Sequence, residues 1–472
     1  MDEPEFGERL PRIETEIPGP ASVAAVDTLA RGECPAITAR RARRARESGA
    51  PQDPIVWHRA RGANVEDVDG NVYVDLTSAF AVAGLGHGHP RVVAAAREQA
   101  GRLIHAMGDV YPSDAKVALI DKLVEVTPAG LDQTILGLSG ASAIEAALKT
   151  AVVHTGRAGV LAFWGGYHGL SHGALAPTAY RDAFRRPFLG QLNGRVQHAP
   201  YPDTVRPPLG LGLGATPEQV GRACLAHLEQ LLGHPAAGAT DLGAVLIEPI
   251  QGRGGEVEPP PGFLAGLREL CDRHGLVLIF DEIYTGLART GDMFACEREG
   301  VTPDILCLGK ALGGGFPISA AVGTREVMAS WGSSSGEAVH TSTFLGNPLG
   351  CAMATAALDV LTERDWPGIV RARGEALRER LEALAARHPD RVCAVRGRGF
   401  MLGLDLVTDP GTRAPDTNLA LGLVDACRKE GVLVLPSGVH GNILALSPPF
   451  VITDAQLTHA MDIIGESLAR LV

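Results

Sequence analysis

Short apolar runs recur between charged and glycine-rich stretches through the middle of the chain. Five of them, Gly159–Phe163, 244–247, 276–280, Ile305–Leu308 and 318–322, are compact and bounded by turn residues. None alternates polar with apolar positions, as expected of strands buried on both faces. Helical segments separate them, which predicts a mostly parallel sheet with helices on both sides. Nearer the N-terminus the pattern changes. The stretch Glu66-Asp67-Val68-Asp69-Gly70-Asn71-Val72-Tyr73-Val74-Asp75-Leu76 alternates around Asp-Gly-Asn and predicts a hairpin. Residues 200–215 are rich in proline and glycine and predict an irregular loop. Helical periodicity over 369–387 then precedes a strand at 402–407, a helix at 418–430, a strand at 432–435 and a last helix from Asp454. The expected organisation is an arm and hairpin segment over 1–89, a large α/β domain over 90–362, and a small α+β domain over 363–472, with the first segment packing on the last.

Length and composition agree with that picture. At 472 residues, 45% of them apolar, the chain suits a packed α/β enzyme of more than one domain. The formal charge of −11 is spread along the chain and argues against a nucleic-acid partner. A basic run, Arg40, Arg41, Arg43, Arg44 and Arg46, reads as an exposed helical face. The eight cysteines are scattered without metal-ligand spacing and read as reduced core residues. The start of the chain lacks an apolar leader, and no uninterrupted apolar stretch could span a bilayer. The expectation is a cytoplasmic protein with no membrane partner and no metal.

One charge sits in an awkward place. Lys310 ends the apolar run Asp304-Ile305-Leu306-Cys307-Leu308-Gly309-Lys310 and is followed by Ala311-Leu312-Gly313-Gly314-Gly315. An ammonium there must be paired, reach outward, or lose its proton and react as an amine nucleophile. Asp281 ends the run at 276–280, so both residues are expected at the carboxyl ends of strands, where open α/β sheets bind ligands. A carboxylate beside a pyridine nitrogen would keep that nitrogen protonated. Leu138-Ser139-Gly140-Ala141-Ser142 opens a helix, whose free N–H groups suit a phosphate. Tyr167 and His168 follow the run Gly159–Phe163, where an aromatic can stack on a flat ring or simply pack.

In their order along the chain these elements resemble the class III aminotransferases, a pyridoxal-phosphate family of fold type I. The resemblance spans roughly 54–471. It includes Leu85-Gly86-His87-Gly88-His89-Pro90, Gly166-Tyr167-His168-Gly169, Ile247-Glu248-Pro249-Ile250-Gln251-Gly252, Ala288-Arg289-Thr290-Gly291 and Thr343-Phe344-Leu345-Gly346-Asn347-Pro348, besides the lysine and aspartate segments. It implies a large domain with a sheet of the seven-stranded type, pyridoxal 5'-phosphate as cofactor, and transfer of an amino group from an amine or amino acid to a 2-oxo acid. An amino-acid racemase or epimerase, or a decarboxylase or lyase, on the same scaffold is the alternative. Lys310 is implied as the Schiff-base lysine and proton carrier, Asp281 as the partner of the ring nitrogen, and Tyr167 as the stacking ring. Ser139, Gly140, Ala141 and Ser142 would hold the phosphate, with His168, Glu248 and Tyr284 also at the cofactor. Thr343 would reach the phosphate of a second subunit, which implies a homodimer.

Three departures bear on substrate. Relatives that act on amino acids usually carry an arginine where this chain has Ala445, and relatives such as 4-aminobutyrate transaminase carry a glutamate where it has Arg253. Either Arg253 supplies the anion contact from the opposite side, or it is a solvated loop residue and the substrate has no carboxylate there. Tyr284 replaces a glutamine and could bond the cofactor's phenolic oxygen or only line the pocket. By resemblance, Phe80 adds an apolar wall.

Overall fold

The computed structural model describes residues 5–38, 54–239, 241–332 and 336–472; the basic run Arg40 to Arg46 lies outside them. The chain divides into two compact units, one formed by Pro90–Ala372 and a smaller one by Met1–His89 with Arg373–Val472. The expected boundary at 362 follows the helix Pro348–Thr362, whereas the division falls within the next helix, Trp366–Arg387.

The large unit is built on seven strands, numbered here in chain order: β1 (Leu131–Gly137), β2 (Gly159–Phe163), β3 (Val196–Ala199), β4 (Leu242–Ile247), β5 (Val277–Asp281), β6 (Ile305–Leu308) and β7 (Ser319–Thr324). Their order across the sheet is β1-β7-β6-β5-β4-β2-β3. Neighbours are parallel from β3 through β6, and β7 runs antiparallel to both β6 and β1. Every residue of β2, β4, β5 and β6 is buried, which is why these strands read as unbroken apolar runs. The edge strand β3 carries Gln197 and His198, and β1 carries Asp132, Gln133 and Thr134, so neither stands out by periodicity. A helix, α1 (Gly140–Thr155), lays Ala143, Ile144 and Ala147 against Ile279, Ile305, Cys307 and Ala321. Small side chains let helix and sheet approach closely and hold the start of the helix near the ends of β5 and β6.

In the smaller unit the predicted hairpin is present, with Asn64 opposite Val74 and Glu66 opposite Val72. Val74 also pairs in parallel with Val432, which ties the N-terminal strands to the C-terminal region. A second sheet joins Val392–Arg398, Met401–Asp409, Ile443–Leu446 and Leu435–Ser437; helix Thr417–Lys429 packs on it, and helix Asp454–Leu471 packs on that helix. All eight cysteines are free; Cys34 is exposed, Cys393 is partly buried and the rest are buried. No described helix is long and apolar enough to cross a membrane.

Candidate active site

Parallel pairing of β5 with β6 sets Asp281 opposite Cys307, three residues before Lys310. Asp281 is the last residue of its strand and is 3% exposed. Its Oδ1 accepts the N–H of Ile283 at 3.1 Å, and its Oδ2 lies 2.8 Å from Nδ1 of His168. An ionised aspartate only accepts, so Nδ1 of His168 carries the proton in that pair. His168 is itself 2% exposed, and its backbone N–H donates to Oγ1 of Thr178 at 2.9 Å. Its Nε2 is buried without a partner among the described residues.

Lys310 follows Gly309 with a φ of 42°. A left-handed backbone at a long side chain costs on the order of 1–3 kcal/mol, a strain that concentrates at functional sites. Its ammonium lies over the face of Tyr284, 4.5 Å from the ring centroid. Crowding by protein pushes the Lys310 pKa down to about 8; Asp281 and Glu248 oppose that fall and Arg253 adds to it. The tyrosine therefore presents its ring face to the lysine. A Cβ on Gly252 would come within 3.1 Å of that ring, so the glycine packs directly against the tyrosine.

The start of α1 meets this group through glycines. A Cβ on Gly309 would lie 3.7 Å from Cα of Gly140, and one on Gly169 would lie 2.7 Å from Cβ of Ala141. Ser139 caps the helix: its Oγ accepts the N–H of Ser142 at 3.2 Å and lies 2.9 Å from the Ser142 hydroxyl. The N–H groups of Gly140 and Ala141 take no acceptor among the described residues. Two unspent donors at the positive end of a long helix, beside a reactive amine and a buried carboxylate, fit a phosphate-bearing aldehyde cofactor.

Glu248 and His168 stand one layer behind this surface. Glu248 is 5% exposed, and its two oxygens accept the backbone N–H groups of Tyr167 (2.8 Å) and Gly252 (2.9 Å). Burial raises its pKa, Asp281 adds to the rise, and His168 opposes it. Glu248 thus stitches the loop after β2 to the loop after β4. Tyr167 meets Tyr180 edge to face, with centroids 6.1 Å apart, and Arg253 lies over both rings. Tyr180 and Phe184 carry little signal in the sequence beyond the spacing of aromatics among arginines in Tyr180-Arg181-Asp182-Ala183-Phe184-Arg185. Thr343 is exposed on the surface of the large unit. Phe80 and Ala445 belong to the smaller unit. Phe80 is 62% exposed on a left-handed turn running from Ser78 to Ala81, and Ala445 is buried in its strand.

Comparison with known proteins identifies the family. The family model described as aminotransferase class-III matches residues 46–468. The 4-aminobutyrate aminotransferase of Mycobacterium bovis is 37% identical, with 98% of each chain covered. The acetylornithine aminotransferase of Corynebacterium efficiens is also 37% identical, over 89% of this chain and 93% of that protein. Among solved structures, an (S)-enantioselective omega-transaminase from Thermomicrobium roseum matches with a TM-score of 0.86 and 26% identity, covering 98% of this chain and 100% of that one. A PLP-bound amine transaminase from an uncultivated Pseudomonas species matches at 0.82 with 30% identity, over 89% and 96% of the two chains. The chain belongs to the class III aminotransferases. It is a fold-type I transaminase that uses pyridoxal 5'-phosphate to move an amino group from an amine or amino acid to a 2-oxo acid. These relatives lend no support to the racemase alternative.

Proposed function

We propose that Lys310, Asp281 and Tyr167 carry the transamination and that the helix start at Gly140 and Ala141 holds the cofactor phosphate, with help from Ser139 and Ser142. The observation that carries the reading is Lys310, half-buried at a strand end with its pKa pushed down to about 8, next to the buried pair of Asp281 and His168. Pyridoxal phosphate, when bound, supplies a carbonyl that condenses with amines and a ring that accepts electrons. Each protein group then has one task. Lys310, neutral for part of the time near pH 8, attacks as an amine and afterwards moves a proton from and to the substrate carbon at Nζ. Asp281 Oδ2, held by His168, would set a carboxylate toward the cofactor's ring nitrogen. Tyr167 would support the face of the cofactor ring, and Glu248 keeps the Tyr167 loop in register with Gly252. Mixing the holoenzyme with donor amines in the absence of any oxo acid tests the reading. The cofactor should convert stoichiometrically to its amine form in the wild type and not in Lys310→Ala. Proton exchange at the donor carbon without that conversion would overturn it.

The functional unit is a homodimer in which Thr343 serves the partner's phosphate. Exposed Thr343 and Phe344, with the exposed apolar side chains Ile104, Met107, Val110 and Tyr111 in the same unit, support that reading. Refolding Lys310→Ala together with Thr343→Ala should regenerate one wild-type site per mixed dimer. No regained activity in a confirmed mixed dimer would remove the shared site. The eight free cysteines, most of them buried, favour a reducing compartment such as the cytoplasm.

A further inference from the structure

Arg253 lies in the loop after β4, beside the groups that surround Lys310. Its guanidinium carbon is 4.6 Å from the Tyr167 ring centroid and 5.0 Å from that of Tyr180. The two rings stand at 88° to each other, and the Phe184 ring centroid lies 6.3 Å from that of Tyr167. Aromatic faces attract a cation without using its hydrogen-bonding fork. Among the described residues Arg253 has no carboxylate partner and no hydrogen bond. Its backbone is pinned nonetheless. Glu248 accepts the N–H of Gly252, and the Gln251 side chain donates to the carbonyl of Trp164 at 2.8 Å. A half-buried arginine with a fixed loop, two ring faces and unspent donors is organised in advance for a planar anion.

The same loop reaches the reacting lysine. Gly252 packs on the Tyr284 ring, whose face lies 4.5 Å from Nζ of Lys310. Arg253 is also close enough to contribute to the lowered pKa of that lysine. A second guanidinium, that of Arg181, rests on Tyr180 at 4.9 Å and adds positive potential.

We propose that Arg253, cradled by Tyr167 and Tyr180, is the substrate-carboxylate anchor of this site, so that the preferred donors and acceptors carry a carboxylate and plain amines bind without that contact. The inference rests on the aminotransferase reading and deepens it to a substrate class.

Calorimetry of the holoenzyme with two unreactive ligands of matched shape, pentanoate and pentanamide, tests the anchor. The wild type should prefer pentanoate by about tenfold to hundredfold, as expected for a charge-assisted, two-pronged contact. In Arg253→Ala that ratio should fall to near one. In Arg253→Lys, which keeps the charge and loses the fork, it should be intermediate. Cofactor absorbance is recorded for each variant, and if Arg253→Ala fails to hold cofactor the Arg253→Lys ratio decides. No preference in the wild type overturns the proposal. So does an unchanged ratio in Arg253→Ala, including equal weakening of both ligands, or a wild-type ratio in Arg253→Lys where that variant decides. Absence of amino transfer in the wild type would instead overturn the catalytic assignments, and the ligand ratio would still report on the arginine.

Discussion

Two buried aspartates divide the molecule by purpose. In the smaller unit Asp405 is fully enclosed: Arg396 donates to its Oδ2 from Nε at 2.7 Å and from Nη2 at 2.6 Å, and Asn442 donates to its Oδ1 at 2.8 Å. Its charge is met by a permanent cation on the neighbouring strand. In the large unit Asp281 is almost as buried, yet its polar neighbours are one histidine and one backbone N–H. Around it lie further unfinished groups: Nε2 of His168, the N–H groups of Gly140 and Ala141, and the fork of Arg253. A buried charge that is fully paired is a structural device. A buried charge left among unspent donors is organised for something that arrives later, which on the reading proposed above is the cofactor and its substrate.

Replacing each aspartate separates the two roles most sharply. Asp281→Asn keeps the shape and removes the charge, so kcat should fall by about a hundredfold to a thousandfold while the melting temperature of the apoenzyme moves little. Asp405→Ala should do the reverse. Leaving Arg396 buried without its carboxylate costs roughly 3–5 kcal/mol of stability, and turnover per folded molecule should stay near the wild type. Single-turnover kinetics beside thermal unfolding would measure both. Equal stability losses for the two variants, with equal kcat, would erase the distinction.

Lys310 offers a smaller test through pH. Its folded pKa, about 8, lies below the ordinary 10.5. Between those values the unfolded chain holds a proton that the folded lysine lacks, so stability of the apoenzyme rises with pH across that window. Below it the penalty for the crowded ammonium is fully present. Relative to Lys310→Met, the wild type should gain about 2 kcal/mol between the ends of the window, after allowance for the lysine's partial exposure. The rate at which the apoenzyme captures pyridoxal phosphate should also climb through about pH 8. Denaturant titrations at a series of pH values would show parallel curves for the two proteins if the lysine were ordinary.

Much of this was legible in the chain. Lys310 and Asp281 stand at the ends of unbroken apolar runs, and burial on both faces is what makes such runs visible. The edge strands were not legible, because solvent on one side lets Gln197, His198 and Gln133 in. The left-handed turn at Ser78, Ala79, Phe80 and Ala81 contains no glycine or asparagine to announce its positive φ; Asp75 holds it through the Thr77 hydroxyl and N–H and the N–H of Ala79. The aromatic cradle of Arg253 was hidden for another reason. Tyr180 joins Tyr167 only when the irregular segment after β2 folds back, and no local period records that.

The helix cap supplies the finest division between holding a fold and holding a ligand. Ser139 accepts the N–H of Ser142 and also borders the two free N–H groups of Gly140 and Ala141. If the cap only supports α1, Ser139→Ala should lower stability by about 1 kcal/mol in the apoenzyme and the holoenzyme alike. If its hydroxyl also helps to hold the phosphate, the loss should be larger with cofactor bound, by a further 1 kcal/mol or so, since a hydrogen bond to a charged oxygen is stronger than one to a neutral group. Removal of that contact would show as roughly five- to tenfold weaker cofactor binding by equilibrium dialysis. Equal losses in the two forms, with unchanged cofactor affinity, would assign Ser139 to the helix alone and leave the phosphate to the backbone of Gly140 and Ala141.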